Sequence, residues 1–463
     1  MLTFELLYRY PDTVSGIAII ENDEYSLLLI DHPEENVSHK NFKDKLEEIS
    51  RSVSCTFDLK ATSYFFKRFF GITLKKCVDV VTISAMLGTN DKFQLPVHEQ
   101  ISVIKKASMY GEREGQFVRF PRPVLEAHYK TRLVQIRDVI SRHLKGSDSP
   151  IDLAQYIKHF IPVSAAVGIL EASAFAVEGN LRNNMLQDET LKNHWSKLQS
   201  LKDINHCAYS IDSASTGRLS SGSKYGSVFN ALAIPKDIRE CIVPQNDFFV
   251  ELDYSSFEFN VLLHLFGPEK LIDKLSDVYN TICEEAKIDD RDIVKSIVFK
   301  KIYGIGGVIS DFETKKALNE NNIGESKVYV FNKYLDWVDD VKDSIQQLVT
   351  SSKERSLVNG FGRKINFSKE EVERKNLLFN NLIQSTAADI ALSALSKIQE
   401  YLIDRNSKLI LFCHDSFLID MSIREREIIN NIRNILENIL KGYKLPVSIT
   451  IGKNYGTMRK LNV

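Results

Sequence analysis

The stretch Phe248-Phe249-Val250-Glu251-Leu252-Asp253-Tyr254-Ser255-Ser256-Phe257-Glu258 decides how the chain reads. Its first five residues are rich in strand formers and a helical pattern resumes at Phe259–Phe266, so Asp253 stands at a strand's end. Far downstream, Lys408–Phe412 and Ser416–Asp420 read as two strands separated by Cys413-His414-Asp415, a short hairpin connection from which Asp415 projects. A carboxylate at the tip of an apolar strand pair is costly unless it is solvated, paired or bound to a cation. Two such sites invite a shared Mg2+ centre. Taken singly, each is more readily an ordinary turn aspartate.

Between them, Arg291, Lys295, Phe299 and Tyr303 recur every four residues, which puts them on one slowly drifting helix face. Ile293, Val294, Ile297 and Val298 populate another face. The pattern predicts that this apolar face packs inward, that the stripe of two cations and two rings looks outward, and that Gly304 with Gly306-Gly307 ends the helix. Guanidinium and ammonium suit phosphates, and rings suit a base. A surface helix with merely solvated Lys and Arg stems carries the same pattern.

In motif order the sequence resembles the family A DNA polymerases. Thr216-Gly217-Arg218-Leu219-Ser220-Ser221 looks like their T-G-R-L-S-S segment, Asp253–Glu258 like motif A, Arg291–Gly304 like motif B, and Cys413-His414-Asp415 like motif C. Gln384-Ser385-Thr386-Ala387-Ala388-Asp389 is similar to the Q-G-T-A-A-D helix, with Asn380 one turn earlier. Each motif alone is weak; five in order outweigh the separate bland readings.

The resemblance implies an α/β (α+β, multi-domain) fold: a right-hand polymerase with palm, fingers and a short thumb, preceded by an exonuclease-like α/β domain. The expected division is 1–145 for that first domain and 146–463 for the polymerase, with thumb about 151–205, palm about 206–265 and 395–463, and fingers about 266–394. It further implies DNA synthesis from dNTPs on primer-template DNA with two Mg2+ ions, Mn2+ being an expected substitute. Asp253, Asp415 and the Tyr254 carbonyl become metal ligands. Arg291 and Lys295 hold the triphosphate, Phe299 contacts sugar and base, and Tyr303 stands near the templating position. Glu258 is the steric gate against a ribose 2′-OH. Arg218, Asn380 and Gln384 read the minor groove or position the DNA, and His414 lies close to the primer terminus. Departures occur at Ser256, Asn260, Ser385 and Ser416, where the family commonly has Gln, Arg, Gly and Glu. They bear on fidelity and rate and leave both ligands intact. The 38 residues from Asp253 to Arg291 imply trimmed fingers.

Residues 1 to about 140 read as mixed α/β, with strands at Gly16–Ile20 and Tyr25–Ile30 and helices at Phe42–Ser52 and Ala61–Phe70. Gly146-Ser147-Asp148-Ser149-Pro150 is a linker signal, and Ile151–Leu201 reads as largely helical. Asp58, Asp79 and Asp138 echo exonuclease motifs. However, Glu5-Leu6-Leu7 stands where D-x-E is expected, and Val134 where a Tyr is expected, which implies an exonuclease-like fold without proofreading, with an unrelated α/β domain as the alternative. The short thumb region implies weak processivity and a processivity or replisome partner.

With 60 basic and 61 acidic residues, the net charge of −1 does not advertise a nucleic-acid binder, though a mixed surface can carry a basic groove. The start of the chain lacks a secretion signal, and no stretch approaches ~18 uninterrupted apolar residues, so the expectation is a soluble protein with no membrane partner, in bacterial or phage-infected cytoplasm. Six widely spaced cysteines point to reduced thiols. Compactness and the lack of a 5′-nuclease region suggest a phage-like enzyme. Two rivals remain: a single-subunit RNA polymerase or primase-like enzyme, against which Glu258 argues, and a catalytically inactive nucleic-acid-binding relative, which would need neither carboxylate.

Overall fold

A computed structural model of the chain describes residues 2–9, 13–32, 36–87, 120–145, 152–211, 213–221, 232, 234–272, 277–303, 311–321 and 323–461. The expected linker Gly146–Pro150 and the helix stop at Gly304, Gly306 and Gly307 lie outside the described residues.

The first unit is built on one mixed sheet. Strands β1 (Leu2–Arg9), β2 (Thr13–Glu21) and β3 (Glu24–Leu29) form an antiparallel meander, and β4 (Ser54–Thr56) and β5 (Cys77–Asp79) add parallel to β1, giving the order β3-β2-β1-β4-β5. Alternation along the strands sends Phe4, Leu6, Ile17 and Ile19 to one face and Leu7, Ala18 and Ile20 to the other. Helices α1 (His39–Arg51) and α2 (Leu59–Phe70) cover the first face, while α3 (Val80–Leu87) and α4 (Arg122–Lys145) cover the second. Asp58 caps α2 by accepting from the Ala61 N–H at 2.9 Å, and Gly71 at φ 72° ends it.

Helix α5 (Ile161–Ala172) is the seam between this unit and the rest. Its Gly168 meets α2 backbone to backbone: a Cβ there would stand 2.3 Å from the Lys60 carbonyl oxygen. Immediately after it, β6 (Ala174–Val177) pairs with β7 (Ile204–His206) and β8 (Ile242–Val243). Strand β6 corrects the largely helical reading of Ile151–Leu201. Four residues are too few to display a period, and both partners come from distant sequence.

The second unit centres on an antiparallel sheet of order β12-β13-β9-β14-β15. Strand β9 is Phe248–Tyr254, as the opening stretch predicts, and helix α6 (Phe257–Phe266) follows it. Helices α7 (Val278–Ala286), α8 (Arg291–Tyr303), α9 (Val328–Leu335) and α10 (Trp337–Ser351) enclose a second core around Ile282, Val294, Val298 and Phe331. The hairpin β10 (Ser356–Val358) and β11 (Lys364–Asn366) then leads into the 28-residue α11 (Lys375–Leu402). Helix α11 reaches from the helical core to the sheet, so its near-continuous buried face replaces a single amphipathic stripe. Strands β12 (Lys408–Cys413) and β13 (Ser416–Met421) form the expected hairpin. Helix α12 (Ile428–Glu437), β14 (Val447–Gly452) and β15 (Arg459–Lys460) close the sheet. All six cysteines are free.

Because the Lys60 carbonyl cannot retreat without moving α2, Gly168→Ala is expected to destabilise the protein by about 1–3 kcal/mol, read as a lower urea midpoint at unchanged slope. Gly360→Ala, where nothing lies within 4 Å of the added carbon, should be close to neutral.

Candidate active site

Strand register brings the two aspartates together. Ser416 of β13 stands opposite Asp253 of β9, and the pair Cys413 and Ser416 closes β12 to β13 across His414-Asp415. The tight turn puts His414 at φ 58°, and the Asp415 N–H donates to the Cys413 carbonyl at 2.7 Å. The Tyr254 N–H donates to the Asp415 carbonyl at 3.2 Å, fastening the turn to the end of β9. After β9 the chain turns through Ser256 at φ 50°, and the Asn260 amide braces that turn by donating to the carbonyls of Ser255 (2.9 Å) and Ser256 (3.1 Å). Asn260, a departure from the resembled pattern, thus has a local structural task.

Both aspartates line a cavity of about 400 Å³, together with Arg218, Tyr254, Glu258, Arg291, Lys295, Phe299 and His414. Burial, then the Asp415 charge and Glu251, raises the Asp253 carboxyl to about 7 against the pull of Lys295. Burial likewise raises Asp415, against Arg218 and Lys295. Burial and Arg218 lower His414, favouring its neutral ring. Burial thus outweighs the nearby cations at both carboxylates. Among the described residues no group of three or more His, Cys, Asp or Glu is arranged to hold a metal. Two carboxylates suit Mg2+ nonetheless, which keeps waters and takes substrate oxygens.

Helix α8 presents Arg291, Lys295 and Phe299 to the cavity. The Arg291 guanidinium donates to Asp277 at 2.9 Å and to Asn280 at 3.1 Å, and it lies 5.1 Å over the Tyr279 ring. Phe299 stacks on Tyr279 at 6.4 Å between centroids, and the exposed Lys295 ammonium stands 5.9 Å from the Phe299 ring. Tyr279 escaped the sequence reading: it lies in the first turn of α7, and only the packing of α7 on α8 turns its ring into the cavity wall.

Tyr303 departs from the expected outward stripe. It is only 8% exposed, and its hydroxyl donates to the Glu258 carboxylate. Four residues per step exceed the 3.6 of a helix turn, so the stripe drifts until its last member faces inward. Arg218 pairs with the same carboxylate, so Glu258 is held from both sides. Asn380 donates to the Tyr303 carbonyl at 3.2 Å, and Gln384 is half-buried one turn further along α11; Tyr303, Asn380 and Gln384 stand outside the cavity wall.

The Thr216–Ser221 segment is seated by a buried ion pair. Gly217 at φ 70° lies against Arg363, where a Cβ would approach the guanidinium carbon to 2.3 Å. Arg363 makes two bonds, of 2.7 and 2.9 Å, to Asp389, which also accepts from Asn359 (2.7 Å) and His159 (3.0 Å). Burial alone would raise the Asp389 carboxyl, but Arg363 and His159 more than offset it and hold it well below the usual range.

The chain belongs to DNA polymerase family A, whose family model matches residues 182–457. It is 27% identical over 276 residues to DNA polymerase I of Lactococcus lactis subsp. cremoris, a match covering 54% of this chain and 30% of that protein. It is 22% identical over 274 residues to DNA polymerase theta of Caenorhabditis elegans, covering 55% and 16%. The matched stretch therefore spans under a third of these relatives' length. In fold it is similar to the POL domain of Pol1 from M. smegmatis, solved in complex with DNA primer-template and dNTP. The TM-score is 0.74 at 16% identity, over 99% of this chain and 96% of that one.

Two measurements check these electrostatics. Because the folded-state carboxyl of Asp253 is raised to about 7, its ionisation costs stability as pH rises from the unfolded value towards 7. Asp253→Asn should therefore raise the metal-free urea midpoint most at about pH 8, less at about pH 5, and leave it nearly unchanged at about pH 3.5, below the unfolded carboxyl value. Asp389 has the opposite sign: its contribution is present above the unfolded carboxyl range and is lost as pH falls through the folded value. Asp389→Ala, which strands Arg363 in the interior, should cost about 3–5 kcal/mol in neutral-pH urea unfolding.

Proposed function

We propose that the chain is a template-directed DNA polymerase that adds dNMP from dNTP to a primer 3′-OH by two-metal nucleotidyl transfer. The observation that carries this reading is the convergence, in one cavity, of two strand-borne carboxylates with the cations and ring of α8. The names of its relatives and the primer-template DNA and dNTP bound by its structural neighbour support the same substrates.

Asp253, Asp415 and the Tyr254 carbonyl would hold two Mg2+ ions, for which Mn2+ could substitute. When bound, the ions lower the pKa of the attacking hydroxyl and neutralise charge on the triphosphate and leaving pyrophosphate. Arg291 exchanges its Asp277 partner for phosphate oxygens, and Lys295, already exposed toward the aspartates, adds a second cation. Phe299 with Tyr279 offers a stacking surface for sugar and base. Glu258, fixed by Arg218 and Tyr303, fills the space a 2′-OH needs. That restraint favours DNA synthesis over the RNA polymerase or primase-like reading. Intact carboxylates and α8 cations favour an enzyme over an inactive nucleic-acid-binding relative. His414 at the primer end, Asn380 and Gln384 along the DNA, and Tyr303 acting through Glu258 complete the assignment.

The proposed division is at 146–150, with palm around the antiparallel sheet, fingers around α7–α10 and a short thumb within 151–205, although Tyr156 and Phe160 still pack in the core of the first unit and Val163–Leu201 share the palm core. The first unit is proposed to lack 3′–5′ proofreading. Glu5 is neutralised by Arg132 at 2.6 Å, Asp58 caps α2, Asp138 is exposed on α4, and buried Asp79 accepts from the N–H groups of Leu59 and Thr82. Carboxylates occupied by caps and an arginine are poor ligands. Low processivity, a processivity factor or replisome partner, and a phage-like bacterial cytoplasmic setting belong to the same proposal; no described helix is long and apolar enough to cross a membrane.

Primer extension with Mg2+ tests the proposal. Asp253→Ala and Asp415→Ala should each lower the rate on the order of 10³-fold, about 4 kcal/mol of barrier. Undiminished extension by Asp253→Ala would sink it. Glu258→Ala should admit NTPs in parallel dNTP and NTP incorporation assays, and a mismatched primer terminus should resist excision by the wild-type chain.

A further inference from the structure

Strand β12 is the edge of the catalytic sheet, so one row of its backbone N–H and C=O groups has no neighbouring strand. At Phe412 that edge is buried, three residues before Asp415. One side chain serves both exposed groups of Phe412. The Tyr209 hydroxyl donates to the Phe412 carbonyl at 3.1 Å and accepts from the Phe412 N–H at 3.2 Å. A phenol takes the place of a sixth strand there.

Tyr209 is itself held from the first unit. Its own N–H donates at 2.6 Å to Glu171 Oε1 at the end of α5, and the same oxygen accepts from Lys60 Nζ of α2 at 2.8 Å. Lys60, Glu171 and Tyr209 are all buried, and Gly168 holds α5 against α2 at the backbone of Lys60. Glu171 Oε2 is buried with no hydrogen-bond partner, so Oε1 carries the entire link. An unpaired carboxylate at this depth is unstable, which makes Lys60 indispensable to the chain of contacts.

We propose that Tyr209 is a positioning residue for the Cys413–Ser416 turn, and that Lys60 and Glu171 couple the first unit to the catalytic hairpin through it. On this view the first unit has a present task in holding the aspartate turn in register, whatever became of its carboxylates as a metal site. The catalytic half of the idea rests on the polymerase reading above; the mechanical half does not.

The test uses the full chain with Tyr209→Phe and, independently, Lys60→Met, so that misfolding of one leaves the other informative. Amide hydrogen exchange should rise about tenfold or more across 411–418 while β14 (447–452) stays unchanged, the loss of one buried hydrogen-bond partner being local. In single-nucleotide incorporation below each variant's melting temperature, kcat should fall about tenfold with KM for dNTP within about twofold. The double variant should be no worse than Tyr209→Phe alone, and Lys60→Arg should restore most of the rate. Unchanged exchange at 411–418, a uniform rise across the sheet, or wild-type kcat in a folded Tyr209→Phe protein each overturns the proposal. Local exchange changes in the variants, with a wild-type chain that extends no primer, would uphold the coupling and refute only the polymerase reading.

Discussion

Two carboxylates that repel each other must be kept within reach of one another in a partly dry cavity, and nearly every element of the second unit serves that constraint. The backbone meets it before any side chain does. Register between β9 and β13 sets Asp253 opposite Ser416, and one bond from the Tyr254 N–H fastens the Asp415 turn to the end of β9. Two left-handed residues, Ser256 and His414, make the sharp exits from the strands. Such backbone conformations persist only where surroundings over-determine them, and here Asn260 and the paired strands do so.

Around this pair two buried carboxylates each tie several elements together. Asp389 joins α11, the β10–β11 hairpin and His159, and through Arg363 it seats Gly217 and the segment that delivers Arg218 to Glu258. Glu171 joins α2, α5 and Tyr209. Replacing such ion pairs with apolar side chains could leave stability intact, but it would release the segments they position. One network reaches Glu258 through Arg363 and Gly217, and the other reaches the Asp415 hairpin through Tyr209.

In the first unit, acidic side chains take part in the scaffold. Asp58 and one oxygen of Asp79 accept from backbone N–H groups at helix N-termini, and Glu5 pairs with Arg132, which also stacks on Phe57 at 4.5 Å. The contacts of these side chains are those of a scaffold.

Local chemistry made much of the site legible. Strand formers ahead of Asp253, the hairpin around Asp415 and the four-residue spacing from Arg291 depend on neighbours within a few positions, and the elements stand where they were read. The order of the motifs identified the family. What tertiary structure decided were relations between distant segments: Tyr303 turned inward onto Glu258, Arg218 met the same carboxylate, Tyr279 entered the cavity wall, and Tyr209 sealed the β12 edge. None of these leaves a periodic trace, because each depends on the angle at which one element packs on another. The sequence by itself specified which residues could do the chemistry; packing decided which of them face the cavity and which hold the others in place.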